Sequence, residues 1–151
     1  LDENFKETIL QLKFDILLVA AYGKILPEWL LKTPFKDSIN IHYSLLPKYR
    51  GASPIQSALL NGEKITGVSI MRMTAGLDEG PVFVFHTQEI LNSDNKNTLE
   101  KKLTSLSIKN IEKDLSNIYL DKIVPIKQDL KNISYCKKID KLSGRINFDQ
   151  E

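Results

Sequence analysis

The chain has 151 residues, a net charge of +2, 42% hydrophobic and 26% charged residues. That length supports one domain with a real core, and the mild charge gives no argument of its own for nucleic-acid binding. The single cysteine, Cys136, excludes an internal disulfide framework and a Cys-rich zinc site, and the longest apolar run, residues 16–21, is of strand length rather than membrane-span length.

Leu1-Asp2-Glu3 is neither a basic leader start nor an initiator methionine, so the chain is expected to be part of something longer. Phe5, Ile9, Leu10 and Leu12 recur at roughly helical spacing, which predicts a helix over 3–12. Residues 14–21 form a short apolar run, the pattern of a strand buried on both faces. Tyr22-Gly23-Lys24 is a turn, and Pro27 suits the first position of a short helix through Leu31. Residues 38–43 read as the next strand. Ser53 as N-cap, Pro54 at the first helical position and Gly62 at a left-handed exit frame a second helix. Strands are predicted over 68–73 and 81–90, joined by a polar loop that carries Asp78. Asn97, with Glu100 three residues on, is predicted to cap a long helix with the stripe Leu99, Leu103, Leu106, Ile111, Leu115 and Ile118. From Val124 the tail is polar with short strand-like pieces. The order of elements predicts α/β layering around a mixed sheet. A doubly wound sheet normally opens with a strand, so further strands are expected upstream.

Within Ser38-Ile-Asn-Ile-His-Tyr43, alternation places Ile39 and Ile41 on one face and Asn40 and His42 on the other. Burying an amide and an imidazole without partners costs a few kcal/mol. Placing them at the strand's carboxyl end, where α/β sheets bind ligands, removes that cost. Asn40 offers a donor and an acceptor, and His42 donates, accepts or becomes cationic near neutral pH. Such a pair can hold a carbonyl oxygen as negative charge grows on it. Asp78, in Gly76-Leu-Asp-Glu-Gly80, is the carboxylate best placed to support the imidazole, with glycines on both sides to free the backbone.

Plainer roles stand beside these. A lone strand histidine is often a satisfied structural residue, and an aspartate between glycines is by default a turn former. No metal site is expected, since neither His42 nor His86 has a helical histidine partner. His86 reads as structural or exposed, and Cys136 as part of the polar tail. Ser44-Leu45-Leu46-Pro47 is a strand-stopping turn, and Lys48 and Arg50 read as a solvated pair that can also guide an anion.

Asn40-Ile-His42, Ser44-Leu-Leu-Pro47, Arg50-Gly51 and Leu77-Asp78-x-Gly80 together resemble the folate-dependent formyltransferases in order and spacing. Tyr22-Gly-Lys-Ile-Leu-Pro27, Ala52-Ser-Pro-Ile-Gln56, Thr66-Gly-Val68 and Ile70-Met-Arg-Met73 are similar to the branch that formylates methionine on initiator tRNA. So is the tail, Ser134-Tyr-Cys-Lys-Lys138 followed by Gly144-Arg-Ile-Asn-Phe148.

The resemblance implies a Rossmann-like formyltransferase domain whose mostly parallel mixed sheet is flanked by helices. Residues 1–125 would be the C-terminal part of the catalytic domain, and 126–151 a tail leading to a further domain. The donor implied is 10-formyltetrahydrofolate, with no metal. The acceptor implied is the α-amino group of initiator methionyl-tRNA. Asn40 and His42 would hold the tetrahedral oxyanion while Asp78 supports His42 and helps remove the amine proton. Ser44, Leu45, Leu46 and Pro47, with Tyr22, Gly23, Ile25 and Leu26, would contact the folate. A cis bond is expected at Leu46–Pro47. Tyr43, where relatives carry a small residue, is expected to turn its ring from the pocket. Lys24, Lys48, Arg50 and Arg72 are candidates to touch the acceptor end. The resemblance also implies a cytoplasmic protein, monomeric when intact, with no membrane partner. The alternatives are an amino-sugar nucleotide N-formyltransferase and, for this chain alone, a folate-binding module without turnover.

Overall fold

Asp2 opens the fold: its carboxylate accepts the Phe5 N–H at 2.8 Å and so caps α1 (Glu3–Gln11). The computed structural model describes residues 2–144. After α1 come β1 (Ile16–Ala20), the one-turn α2 (Glu28–Leu31), β2 (Asp37–His42), the short β3 (Arg50–Gly51) and α3 (Pro54–Leu60). Then follow β4 (Ile65–Arg72), β5 (Val82–Glu89), the long α4 (Lys96–Tyr119) and β6 (Tyr135–Cys136). Arg145 to Phe148, part of the tail resemblance, lie outside the described residues.

The main sheet runs β1-β2-β4-β5. β1 and β2 are parallel, with Ile16 opposite Asp37 and Ala20 opposite Ile41. β4 is antiparallel to both β2 and β5. The sheet is therefore mixed, as expected, but not mostly parallel. Side-chain alternation is the same in either direction, so periodicity carries no sign of strand direction. The short helix-free link between β4 and β5 does carry one, because parallel neighbours need a long crossover.

β1 ends the sheet order, and Leu18 is 40% exposed with Ala20 exposed beside it. Within the described residues the outer side of β1 is thus half open.

One face of the sheet meets α3 and α4. Ile39, Val68 and Ile70 pack there with Ile55 and Ala58 of α3 and with Leu99, Leu103 and Ile118 of α4. Burying each large aliphatic side chain contributes roughly 1.5–3 kcal/mol. Leu106, Ile111 and Leu115 complete the predicted stripe as half-buried neighbours. The cap of α4 lies two residues before its predicted place. Asn95 accepts from the N–H groups of Asn97 and Thr98, and Thr98 answers the Asn95 N–H. Glu100 instead pairs with Lys96 at 2.6 Å. Toward the C-terminal end of α4, Asp114 bonds His86 of β5 at 2.7 Å, so His86 ties helix to sheet.

The tail is part of the packed unit. β6 pairs in parallel with β3, Arg50 opposite Tyr135 and Gly51 opposite Cys136. Ile126 exchanges two 2.8 Å backbone bonds with Val82. Cys136 is consequently buried, with its Sγ 3.4 Å from the carbonyl oxygens of Tyr49 and Arg50. Reading it as part of a polar tail overlooked a pairing that no local pattern announces.

Candidate active site

β2 ends at His42, and the chain then turns sharply. Ser44 Oγ donates to the Lys48 carbonyl at 2.5 Å, closing the turn. Ser69 Oγ of β4 donates to the Ser44 carbonyl at 2.6 Å and accepts from the Leu46 N–H at 3.1 Å. The Leu46–Pro47 bond is cis. Tyr49 follows with φ +60°, and its N–H donates to Ser134 Oγ at 2.9 Å. This fold-back aims the Tyr49 carbonyl at His42.

His42 Nε2 lies 2.9 Å from that carbonyl oxygen. A carbonyl only accepts, so Nε2 carries the proton and Nδ1 is the ring's open position. Nδ1 faces Asp78 Oδ2 at 3.7 Å, an ion-pair distance when the ring is charged but beyond a hydrogen bond. The other oxygen, Asp78 Oδ1, lies 3.5 Å from Asn40 Nδ2. The firm anchor of the carboxylate is elsewhere: Gly51 N–H donates to Asp78 Oδ2 at 2.8 Å. The structure thus gathers Asn40, His42 and Asp78, as the residue types predicted.

The loop reaches this position differently from the sequence expectation. Asp78 itself takes the left-handed conformation, φ +50°. Gly80 is needed for space: a Cβ there would sit 1.9 Å from the Arg72 carbonyl oxygen. Aspartate tolerates the left-handed region better than most residues.

The residues expected at the folate fall into two groups. Parallel pairing of β1 and β2 sets the loop after Ala20 at the same sheet edge as His42. In that loop Gly23 has φ +69°, Ile25 is 85% exposed, Tyr22 is partly exposed and Leu26 is buried. In the turn, Ser44 is buried and Leu46 packs on Met71 and Val82. Leu45 and Pro47 line a shallow cleft with Lys48, Tyr49, Glu63 and Thr66, a cleft that the Tyr22–Leu26 loop does not line.

The basic residues are mostly committed within the fold. Arg50 is buried rather than solvated: its Nε and Nη2 donate to Gln128 Oε1 at 3.1 and 2.8 Å, and Nη1 to Tyr135 Oη at 3.2 Å. Arg72 forks onto Asp37 with bonds of 2.6–2.9 Å. Lys48 pairs with Glu63 at 2.9 Å, and Tyr49 Oη donates to the same carboxylate oxygen at 2.7 Å. These two donors hold the Glu63 carboxyl below the usual range, while burial pushes the Tyr49 phenol up. Lys24 is exposed. The Tyr43 ring turns to α4, its Oη 3.1 Å from Thr104 Oγ1.

The Tyr49 carbonyl, the Gly51 N–H and Gln128 were not foreseen. Two of these are backbone groups that any residue type supplies, and the third lies far away in sequence.

The described residues thus form a mixed α/β domain with two polar side chains at a strand's carboxyl end and a carboxylate looped beside them. The chain belongs to the formyl transferase family, whose model matches residues 1–114. It is similar to the methionyl-tRNA formyltransferase of Nitratiruptor sp., 47% identical over 97% of this chain and 47% of the relative. It is likewise similar to that of Caldicellulosiruptor saccharolyticus, 43% identical over 98% of this chain and 47% of the relative. The chain thus spans about half the length of the curated relatives it matches. Among solved structures, its fold is similar to the N-formyltransferase from Helicobacter canadensis in complex with folinic acid and dTDP-3-aminofucose. That match has a TM-score of 0.80 at 24% identity, covering 95% of this chain and 53% of the other.

Proposed function

We propose that the intact protein transfers the formyl group of 10-formyltetrahydrofolate to the α-amino group of methionyl initiator tRNA. The observation that carries this reading is the convergence of Asn40 Nδ2, His42 Nδ1 and the Asp78 carboxylate at one strand end. The names of the relatives support the acceptor, and the folinic acid in the Helicobacter canadensis protein supports the donor.

In this reading the amine attacks the formyl carbon, a carbon–nitrogen bond forms and the carbonyl becomes an oxyanion. Asn40 Nδ2–H donates to that oxygen. His42 donates from Nδ1 in its imidazolium form, because Nε2 is held by Tyr49. Asp78, ionised as the amine attacks, is the counter-charge to the imidazolium; it then takes the amine proton through water, as the charge it loses is replaced by that of the oxyanion. The intermediate then collapses: the bond to folate nitrogen breaks, and that nitrogen receives the proton. Removing one donor to such an oxyanion costs about 2.7–4 kcal/mol of barrier. We assign Tyr22, Gly23, Ile25 and Leu26 to the folate, together with the Ser44–Pro47 turn, where Ser44 and Leu46 act by holding the turn and Leu45 and Pro47 by presenting surface. Residues 1–125 are read as the C-terminal part of the catalytic domain and 126–151 as the tail leading out of it, its first part folded back on the site. A cytoplasmic, monomeric protein completes the proposal.

The test is formyl transfer by the intact protein from 10-formyltetrahydrofolate, with methionyl initiator tRNA and an amino-sugar nucleotide competing. Formyl on the tRNA supports the reading. Formyl only on the sugar keeps the chemistry and replaces the acceptor. Folate binding without transfer to either removes the catalytic role.

A further inference from the structure

Gln128 occupies a junction that the mechanism above does not use. Its Nε2 donates to the Asp78 carbonyl at 2.8 Å and to the Gly80 carbonyl at 2.7 Å. Its Oε1 accepts both bonds from Arg50. All four bonds go to the two segments that meet at the site: the Asp78 loop and β3. On the far side of the same junction, the Gly51 N–H holds the Asp78 carboxylate. The loop is therefore gripped at its backbone by Gln128 and at its side chain by Gly51. Asp78 is left-handed, a conformation of limited stability for a non-glycine residue that persists when its surroundings over-determine it.

We propose that Gln128 is a positioning residue for Asp78. It lies beyond residues 1–114, the span matched by the family model, and acts from a segment pinned by the Ile126–Val82 and β6–β3 pairings. The amide suits this junction because it presents two donors to two carbonyls and one acceptor to a guanidinium. Glutamate would keep the acceptor and place a carboxylate oxygen against the two carbonyls. Leucine would leave the carbonyls and Arg50 without this partner.

The inference rests on Asp78 acting in formyl transfer, and a double-mutant cycle separates the two claims. The variants are Gln128→Ala, Gln128→Glu, Asp78→Asn and the two doubles, in the intact protein. Readouts are kcat, folate affinity measured by direct titration, and melting temperature. Displacing a catalytic group by about 1 Å costs on the order of a hundredfold. Each Gln128 single variant is thus expected to lose between about tenfold and a hundredfold in kcat, with folate affinity changed less than about threefold. On top of Asp78→Asn, the Gln128 substitutions are expected to cost nothing more. An additive loss overturns the positioning role, as does near-native kcat in the Gln128→Glu variant beside an impaired Asp78→Asn. Near-native kcat in Asp78→Asn itself overturns the reading of Asp78, whatever Gln128 does. Should Gln128→Ala melt below the assay temperature, the isosteric Gln128→Glu decides the question alone.

Discussion

The His42 ring is fixed by the backbone of Tyr49, seven residues on: Nε2 donates to the Tyr49 carbonyl at 2.9 Å, so Nδ1 alone faces Asp78. The neutral ring is expected to be the Nε2–H tautomer. Nitrogen-15 correlation spectra of the imidazole would read this directly, and a dominant Nδ1–H pattern would refute the orientation. His42→Ala is expected to lower kcat by about 10²–10³. Near-native turnover in that variant would remove His42 from the chemistry.

Gly51 joins stability to the site. With φ +114°, it sits where a Cβ would lie 2.4 Å from the Cys136 carbonyl oxygen. Its N–H also anchors Asp78. Gly51→Ala is therefore expected to cost about 1–3 kcal/mol of stability and to reduce turnover of the protein that remains folded. Urea unfolding and kcat measured on the same preparation check both halves. An unchanged urea midpoint would contradict the tight β3–β6 pairing.

Glu63 gives an acid-side prediction. Lys48 and Tyr49 lower its carboxyl below the ordinary 4.5. Unfolding therefore takes up protons on the acid side, and stability rises with pH there. The contribution is present above about pH 4.5 and is lost as pH falls through the lowered folded value. In Glu63→Gln the acid limb of the stability profile should be flatter below pH 4.5. Thermal melts from pH 3 to 7 would show this, and parallel limbs in the two proteins would rule the pair out as a contributor.

Cys136 should be chemically quiet. Burial pushes its thiol up, and the residue is only 7% exposed. Thiolate is the reactive form, so at pH 8 a disulfide reagent is expected to react on the order of a hundredfold slower than in denaturant. Equal rates in both conditions would mean that β6 does not stay paired with β3.

Much of this architecture was legible along the chain because its causes are local. Alternation put Asn40 and His42 on one face of β2. Pro54 and Gly62 framed α3, and the spacing from Leu99 to Ile118 marked the buried stripe of α4. Even the error in the α4 cap was small, since Asn95 and Asn97 both carry a capping side chain and only their backbone angles separate them.

Sequence by itself thus determined which side chains are candidates for the chemistry and that Asn40 and His42 lie on one face of a strand. Tertiary structure decided how they are held. Strand direction, the burial of Arg50 and Cys136, the Tyr49 carbonyl behind His42 and the Gln128 bonds to the Asp78 loop are all contacts between distant segments. The backbone groups among them are common to every residue type, and the long-range partners meet only after β3 and β6 pair. Local periodicity records which face a side chain takes; the partner waiting on that face is chosen by packing.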